Sequence, residues 1–149
     1  PLNNLFFNVR YSYNTNKNNL IASPTISDAG YTILNYQRLD NASNSNRESV
    51  EVGKYFPKFK TNASVSASNS ASVADQLQNG TFFQGKSSSQ NFGFKFNNAY
   101  FSWMSLDFNF TKSWSKQSTI GNTIIKGSGY KHNLTAAFYP LENNTFTFN

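Results

Sequence analysis

The chain has 149 residues and a formal charge of +6, with 38% hydrophobic, 17% aromatic and only 13% charged residues. So many aromatics exclude a disordered chain held open by like charge, and the absence of cysteine excludes disulfide scaffolds and thiol chemistry. Lys and Arg come singly rather than in a stripe, so nucleic acid is not an expected partner, and no apolar run approaches the ~18 residues of a spanning helix.

Taken in chain order, the period is that of strands. Residues 5–13, LFFNVRYSY, set Leu5, Phe7, Val9, Tyr11 and Tyr13 against Phe6, Asn8, Arg10 and Ser12, the alternation of a half-buried strand. Residues 15–30 read as a long link, followed by a less regular strand at 31–40. The segments 48–56 and 58–68 are strands joined at Phe56-Pro57-Lys58, a tight turn by composition. Residues 72–88, rich in Ser, Gln, Gly and Asn, read as a long loop. In 91–97, Phe92, Phe94 and Phe96 alternate with Gly93, Lys95 and Asn97. After a turn at Asn97-Asn98-Ala99, Met104, Leu106, Phe108 and Phe110 alternate with Trp103, Ser105, Asp107, Asn109 and Thr111. A second long loop is expected at 113–123. A long strand follows from about 124 to 139, with a bulge at the Gly127–Gly129 pair. The turn at 140–144 leads into an eighth strand. From residue 56 onward, short turns fall at one end and long loops at the other, the asymmetry of outer-membrane barrels.

A soluble sandwich alternates as well, so three further features bear on the choice. The strands at 99–112 and 124–139 exceed the usual five or six residues and suit the ~9–11 of a tilted membrane strand. Aromatic residues gather near strand ends: Tyr11, Tyr13, Tyr55, Tyr100, Trp103, Trp114, Tyr130 and Tyr139 are the expected interface girdle. The opposite face carries Asn, Ser, Thr and the odd charge, and Arg10, Lys95, Asp107, Asn109 and Lys131 are its candidate lumen groups. At about 3.3 Å per residue, Tyr130 to Tyr139 spans roughly 30 Å, and at ~40° tilt about 23 Å of membrane normal. The expected fold is all-β: an antiparallel transmembrane β-barrel over residues 1–149, about eight strands of a larger barrel.

Catalytic chemistry has little to work with. His132 is the only histidine, and its same-face neighbours Tyr130, Leu134 and Ala136 supply no nucleophile or carboxylate. Glu48 and Glu51 fall on opposite faces of one strand, which separates them as an acid–base pair. No cluster has metal-ligand spacing and no phosphate-binding loop occurs. The expectation is a chain with no catalytic, metal or cofactor residues, hence not an enzyme.

The order of features from GKYFPKFKTNASVSASNSAS through YFSWMSLDFNFTKSWS to GYKHNLTAAFYPLENNTFTFN resembles the C-terminal half of the barrel in TonB-dependent outer-membrane receptors of Bacteroidota. Gly53-Lys54-Tyr55-Phe56 before a Ser-rich strand carries part of the likeness. Gly129, Asn133, Leu134, Phe138, Tyr139 and Pro140 before a short Asn turn carry the rest, over residues 45–149. The resemblance implies an interior piece of a longer protein, about eight of roughly 22 strands. It also implies residence in a bacterial outer membrane and uptake of a large nutrient. The partners implied are outer-membrane lipid, the rest of the barrel and its plug, a TonB-type energiser and a surface lipoprotein. A barrel serving as anchor or secretion component is the alternative, and a soluble glycan-binding β-sandwich is a third reading.

Overall fold

A chain that alternates at period two over so much of its length can satisfy its backbone only by pairing strands. The computed structural model describes residues 4–27, 29–118, 123–141 and 144–148. Its elements are β1 (Leu5–Asn18), β2 (Ile21–Ile26), β3 (Thr32–Gln37), β4 (Asn41–Phe56), β5 (Thr61–Gln78), β6 (Thr81–Phe101), β7 (Met104–Ser118), β8 (Ile124–Leu141) and β9 (Asn144–Phe148), with one 3-10 turn at Pro57–Phe59. Seven strands form one antiparallel sheet in the order β1-β4-β5-β6-β7-β8-β9. β2 and β3 form a separate hairpin. The fold is all-β and antiparallel. Among the described residues the large sheet is open, with β1 and β9 at its edges; about eight strands of a larger barrel were the expectation, and seven stand in this sheet.

Three connections differ from the sequence reading. Residues 72–88 are not a loop: β5 and β6 stay paired from Thr61↔Asn98 to Gln78↔Thr81. They reverse at Asn79 (φ 50°) and Gly80 (φ 74°), the two positive φ values of a two-residue type I′ turn. The ladder needs only backbone groups, so a segment rich in Ser and Gln extends it without apolar alternation. At 113–123 the pairing of β7 with β8 likewise continues to Ser118↔Ile124, and residues 119–122 lie outside the described set. The described residues of 19–40 add no strand to the large sheet. They hold the β2–β3 hairpin, whose first strand contains Pro24 and has no clean alternation.

That hairpin closes at its neck, where Leu39 N donates to Asn19 O (3.1 Å) and the Asn41 side chain donates to Leu20 O and Leu39 O, both at 3.0 Å. It packs on the end of β5, lining a recess with Asp75 and Leu77, and Ala42 N donates to Asp75 Oδ2 at 2.8 Å. Ile21 and Leu77, 6% and 5% exposed, are the only buried hydrophobic residues among those described. At the opposite end Asn98 Nδ2 donates to Phe59 O (3.1 Å) and Thr61 Oγ1 (2.6 Å), fixing the β4–β5 turn against β6.

The Asn79-Gly80 turn sets the register of the longest pairing, and a side chain at Gly80 is strained at φ 74°. Gly80→Val is expected to cost about 1 kcal/mol or more, read as a lower urea midpoint at unchanged slope, whereas Asn79→Gly stays close to the parent.

Candidate functional site: the two faces of the sheet

Direct cross-strand partners share a face, so the register sorts every side chain of the sheet. One face carries rows that run across it. Phe7, Val52, Val65, Phe94, Phe110 and His132 form one, and Val9, Val50, Ala67, Phe92, Lys112 and Tyr130 the next. Below them lie Leu5, Lys54, Ala63, Phe96, Phe108 and Leu134. This band is not a core. Phe7 is 67% exposed, Leu134 54% and Tyr130 70%, and no second layer of protein covers it among the described residues. A chain this long would normally bury a substantial core.

The other face is its opposite in chemistry. One row reads Ser12, Arg47, Ser70, Ser89, Ser115 and Gly127, and the next Arg10, Ser49, Ser68, Asn91, Ser113 and Gly129. The first of these rows, from β1 to β8, lines a single recess of about 620 Å³. One hollow that touches six successive strands requires the polar face to be concave. A second hollow, about 380 Å³, lies nearer the short turns and is lined by Phe6, Ser64, Lys95, Asn97, Asp107 and Asn109.

Small residues make this curvature possible. At Gly53 a Cβ would run into the Phe6 ring, which lies across it from the neighbouring strand, and would sit 2.8 Å from Ser64 Cβ. At Gly93 a Cβ would meet Ser66 Oγ at 2.6 Å. Glycine inside a strand marks such a close approach.

The register places Arg10, Lys95, Asp107, Asn109 and Lys131 together on the polar face. Asn97 Nδ2 donates to Asp107 Oδ1, and Lys95 and Asn109 are direct partners. Glu51, on the same face, accepts from Ser64 Oγ at 3.1 Å, while Glu48 is opposite Tyr11 on the apolar face.

Of the aromatic residues, Tyr11, Tyr13, Trp114 and Tyr130 lie on the apolar face towards the Asn79-Gly80 end. Tyr100 and Trp103 lie at the other end, in a chain of rings. Phe59–Tyr100, Tyr100–Phe101, Phe101–Trp103 and Trp103–Phe138 have centroid distances of 6.4, 5.0, 5.3 and 6.3 Å. Strand parity puts Tyr55 and Tyr139 on the polar face at that same end, where Tyr139 Oη is 3.3 Å from Ser105 Oγ. His132 faces outward, opposite Phe110 and stacked on Tyr130 at 6.1 Å. Neither a nucleophile nor a carboxylate accompanies it, and no group of residues able to hold a metal occurs among those described.

Sequence reasoning missed the serine row with Arg47, because both lie where loops were expected or beside them. Continuing the parity count of 58–68 through to Asn79-Gly80 would have found it.

If Phe6 and Gly53 are fitted to one another, Gly53→Ala costs about 1–3 kcal/mol. The loss shrinks in a Phe6→Ala background, measured as a double-mutant cycle of unfolding free energies.

No helix among the described residues is long and apolar enough to cross a membrane, which has no bearing on strands. No protein-family model, curated protein or solved structure matches this chain.

Proposed function

We propose that this chain forms part of the wall of an outer-membrane β-barrel receptor that imports a large nutrient. The observation that carries the reading is the exposed apolar band on one face of a single sheet whose other face is polar and concave. A sheet in water covers its apolar face with a second layer. A sheet in a bilayer leaves that face to lipid and turns its polar face to an aqueous lumen.

The dimensions agree. From Met104 to Trp114 the apolar face of β7 spans about 33 Å along the strand, or about 25 Å of membrane normal at ~40° tilt, close to the lipid-facing band of barrels. Aromatic residues lie at both limits, Tyr11, Trp114 and Tyr130 at one and Phe59, Tyr100, Phe101 and Trp103 at the other, as interfacial anchoring requires. Beyond the band, towards Asn79-Gly80, both faces are mostly hydrophilic, with Phe82, Ile124 and Ile125 as exposed exceptions, as suits strands rising out of the membrane. In this arrangement the serine row, Arg10, Lys95, Asp107, Asn109 and Lys131 line the lumen. The end with the Pro57–Phe59 turn faces the periplasm and the β2–β3 hairpin stands on the outer side. Uptake driven by a TonB-type energiser, with a plug and a surface lipoprotein as partners, rests on the family resemblance.

The membrane part of this reading is tested by substitution on the two faces. Phe94→Arg, in the middle of the band, is expected to cost about 2–4 kcal/mol in bilayers, while Ser68→Arg on the polar face stays within about 1 kcal/mol. Equal costs, or a native protein that remains monomeric without detergent or lipid, would remove the membrane role.

A further inference from the structure

We propose that Lys112, Lys116 and Lys126, flanked by Lys86, form a binding site for the phosphate of an anionic lipid headgroup. The proposal rests on the membrane reading above, because it places these residues on the lipid side of the wall at the edge of the apolar band.

All four are on the apolar face. Lys112 is the partner of Tyr130, Lys116 of Lys126, and Lys86 of Ser118. They therefore fall within a few residues of one another on three adjacent strands, at and just beyond Trp114, the last apolar residue of that face of β7. On the three strands that carry the lysines, no acid shares their face. β6 (Thr81–Phe101) and β8 (Ile124–Leu141) contain no acid, and the one acid of β7, Asp107, is on the polar face. Two acids share this face on the strands beyond β6. Asp75 of β5 is diagonal to Lys86 but turned to the other side, towards β4, where its Oδ2 accepts from Ala42 N, and Glu48 of β4 is two strands from Lys86.

Lys116 and Lys126 oppose each other directly, an arrangement that destabilises a sheet unless something neutralises it. Both are exposed, as is Lys86, so a neutralising group has free access from outside. Lys112 is held differently. Its Nζ lies 5.7 Å from the Trp114 ring centroid and 5.9 Å from that of Tyr130, a cation–π setting that directs the ammonium towards the edge of the band. Two rings and the Lys112 ammonium at the edge of the band, with the Lys116 and Lys126 ammonium groups about 13 Å further along the strands, offer an interfacial platform with cations aimed at an anion. A phosphate meets that demand, with several acceptor oxygens and a charge that can lie between Lys116 and Lys126. Lipid supplies phosphate at that depth, and does so at high local concentration.

The test is a lipid titration of the native protein in neutral detergent, followed by native mass spectrometry. The probes are phosphatidic acid, phosphatidylcholine and inorganic phosphate. The parent is expected to prefer phosphatidic acid to phosphatidylcholine by about a hundredfold, from the increment that each lysine near a charged surface contributes. The Lys112→Gln, Lys116→Gln, Lys126→Gln variant loses that preference. Lys116→Gln and Lys126→Gln are exposed changes that relieve repulsion, and Lys112→Gln is half-buried and keeps most of the side-chain length, so the variant folds. A variant with equal charge loss at the other end, Lys54→Gln, Lys58→Gln, Lys60→Gln, keeps the preference. The site is disproved if the parent shows no preference, if the preference survives in the first variant, or if the second variant loses it equally. Inorganic phosphate competing as well as the lipid disproves a lipid source. Association with both lipids and no preference overturns this site alone, whereas association with neither overturns the membrane reading with it.

Discussion

A single sheet has two faces, and among the described residues neither is covered by a second layer. That constraint organises the rest of the molecule. The backbone is satisfied by a ladder running from β1 to β9, so secondary structure needs no core to complete its hydrogen bonds. The side chains are left to match whatever lies on each side. Phe, Leu and Val accumulate on one face, and Ser, Asn and Gly on the other. In a water-soluble protein the first face would drive association or aggregation. Here its height, its aromatic limits and its pairing with a concave polar face all suit a slab of hydrocarbon.

Curvature follows from the same division of residue size. Rows across the concave face read Ser, Asn, Thr and Gly, and rows across the convex face read Phe, Leu, Val and Tyr. Side chains on the inside of a bend converge, so small ones are required there, and those outside diverge and leave room for rings. Phe6 is the instructive departure. It lies on the polar face, and the space it occupies is released by Gly53 on the neighbouring strand. A bulky residue on the inside is tolerated where its partner has no side chain.

Much of this was legible in the sequence, and the failures have a common cause. LFFNVRYSY, NFGFKFN and SWMSLDFNFT were readable because large apolar residues alternate with small polar ones, and their parity correctly separated the faces. Beyond the apolar band the two faces carry similar residues, with Phe82-Phe83 and Ile124-Ile125 placing one apolar side chain on each, so the alternation signal vanishes although the strands continue. Residues 72–88 therefore read as a loop by composition, although Asn79-Gly80 is a strong hairpin signal in itself. The β2–β3 hairpin was obscured for a different reason: Pro24 and the short length of β2 remove the pattern, and only packing of Ile21 near Leu77 defines its place. The polar-face candidates were legible by parity alone. Lys86 and Lys116 were not, because they fall in 72–88 and 113–123, which read as loops; Lys126 falls in the expected 124–139 strand, but its facing partner Lys116 does not fall in any expected strand.

The central claim is that the two faces meet different solvents, and the absence of cysteine allows a direct measurement. Single cysteines placed in turn at each position from 104 to 117 on β7, in the native protein in bilayers, would carry a nitroxide label. Its collisions would be measured with oxygen, which concentrates in lipid, and with a polar nickel chelate. The result expected is a period of two. Met104, Leu106, Phe108 and Phe110 positions favour oxygen, Ser105, Asp107, Asn109 and Thr111 positions favour the chelate, and the oscillation fades beyond Trp114. Uniform access to the chelate along the strand, or a period of two with no oxygen maximum, would contradict it.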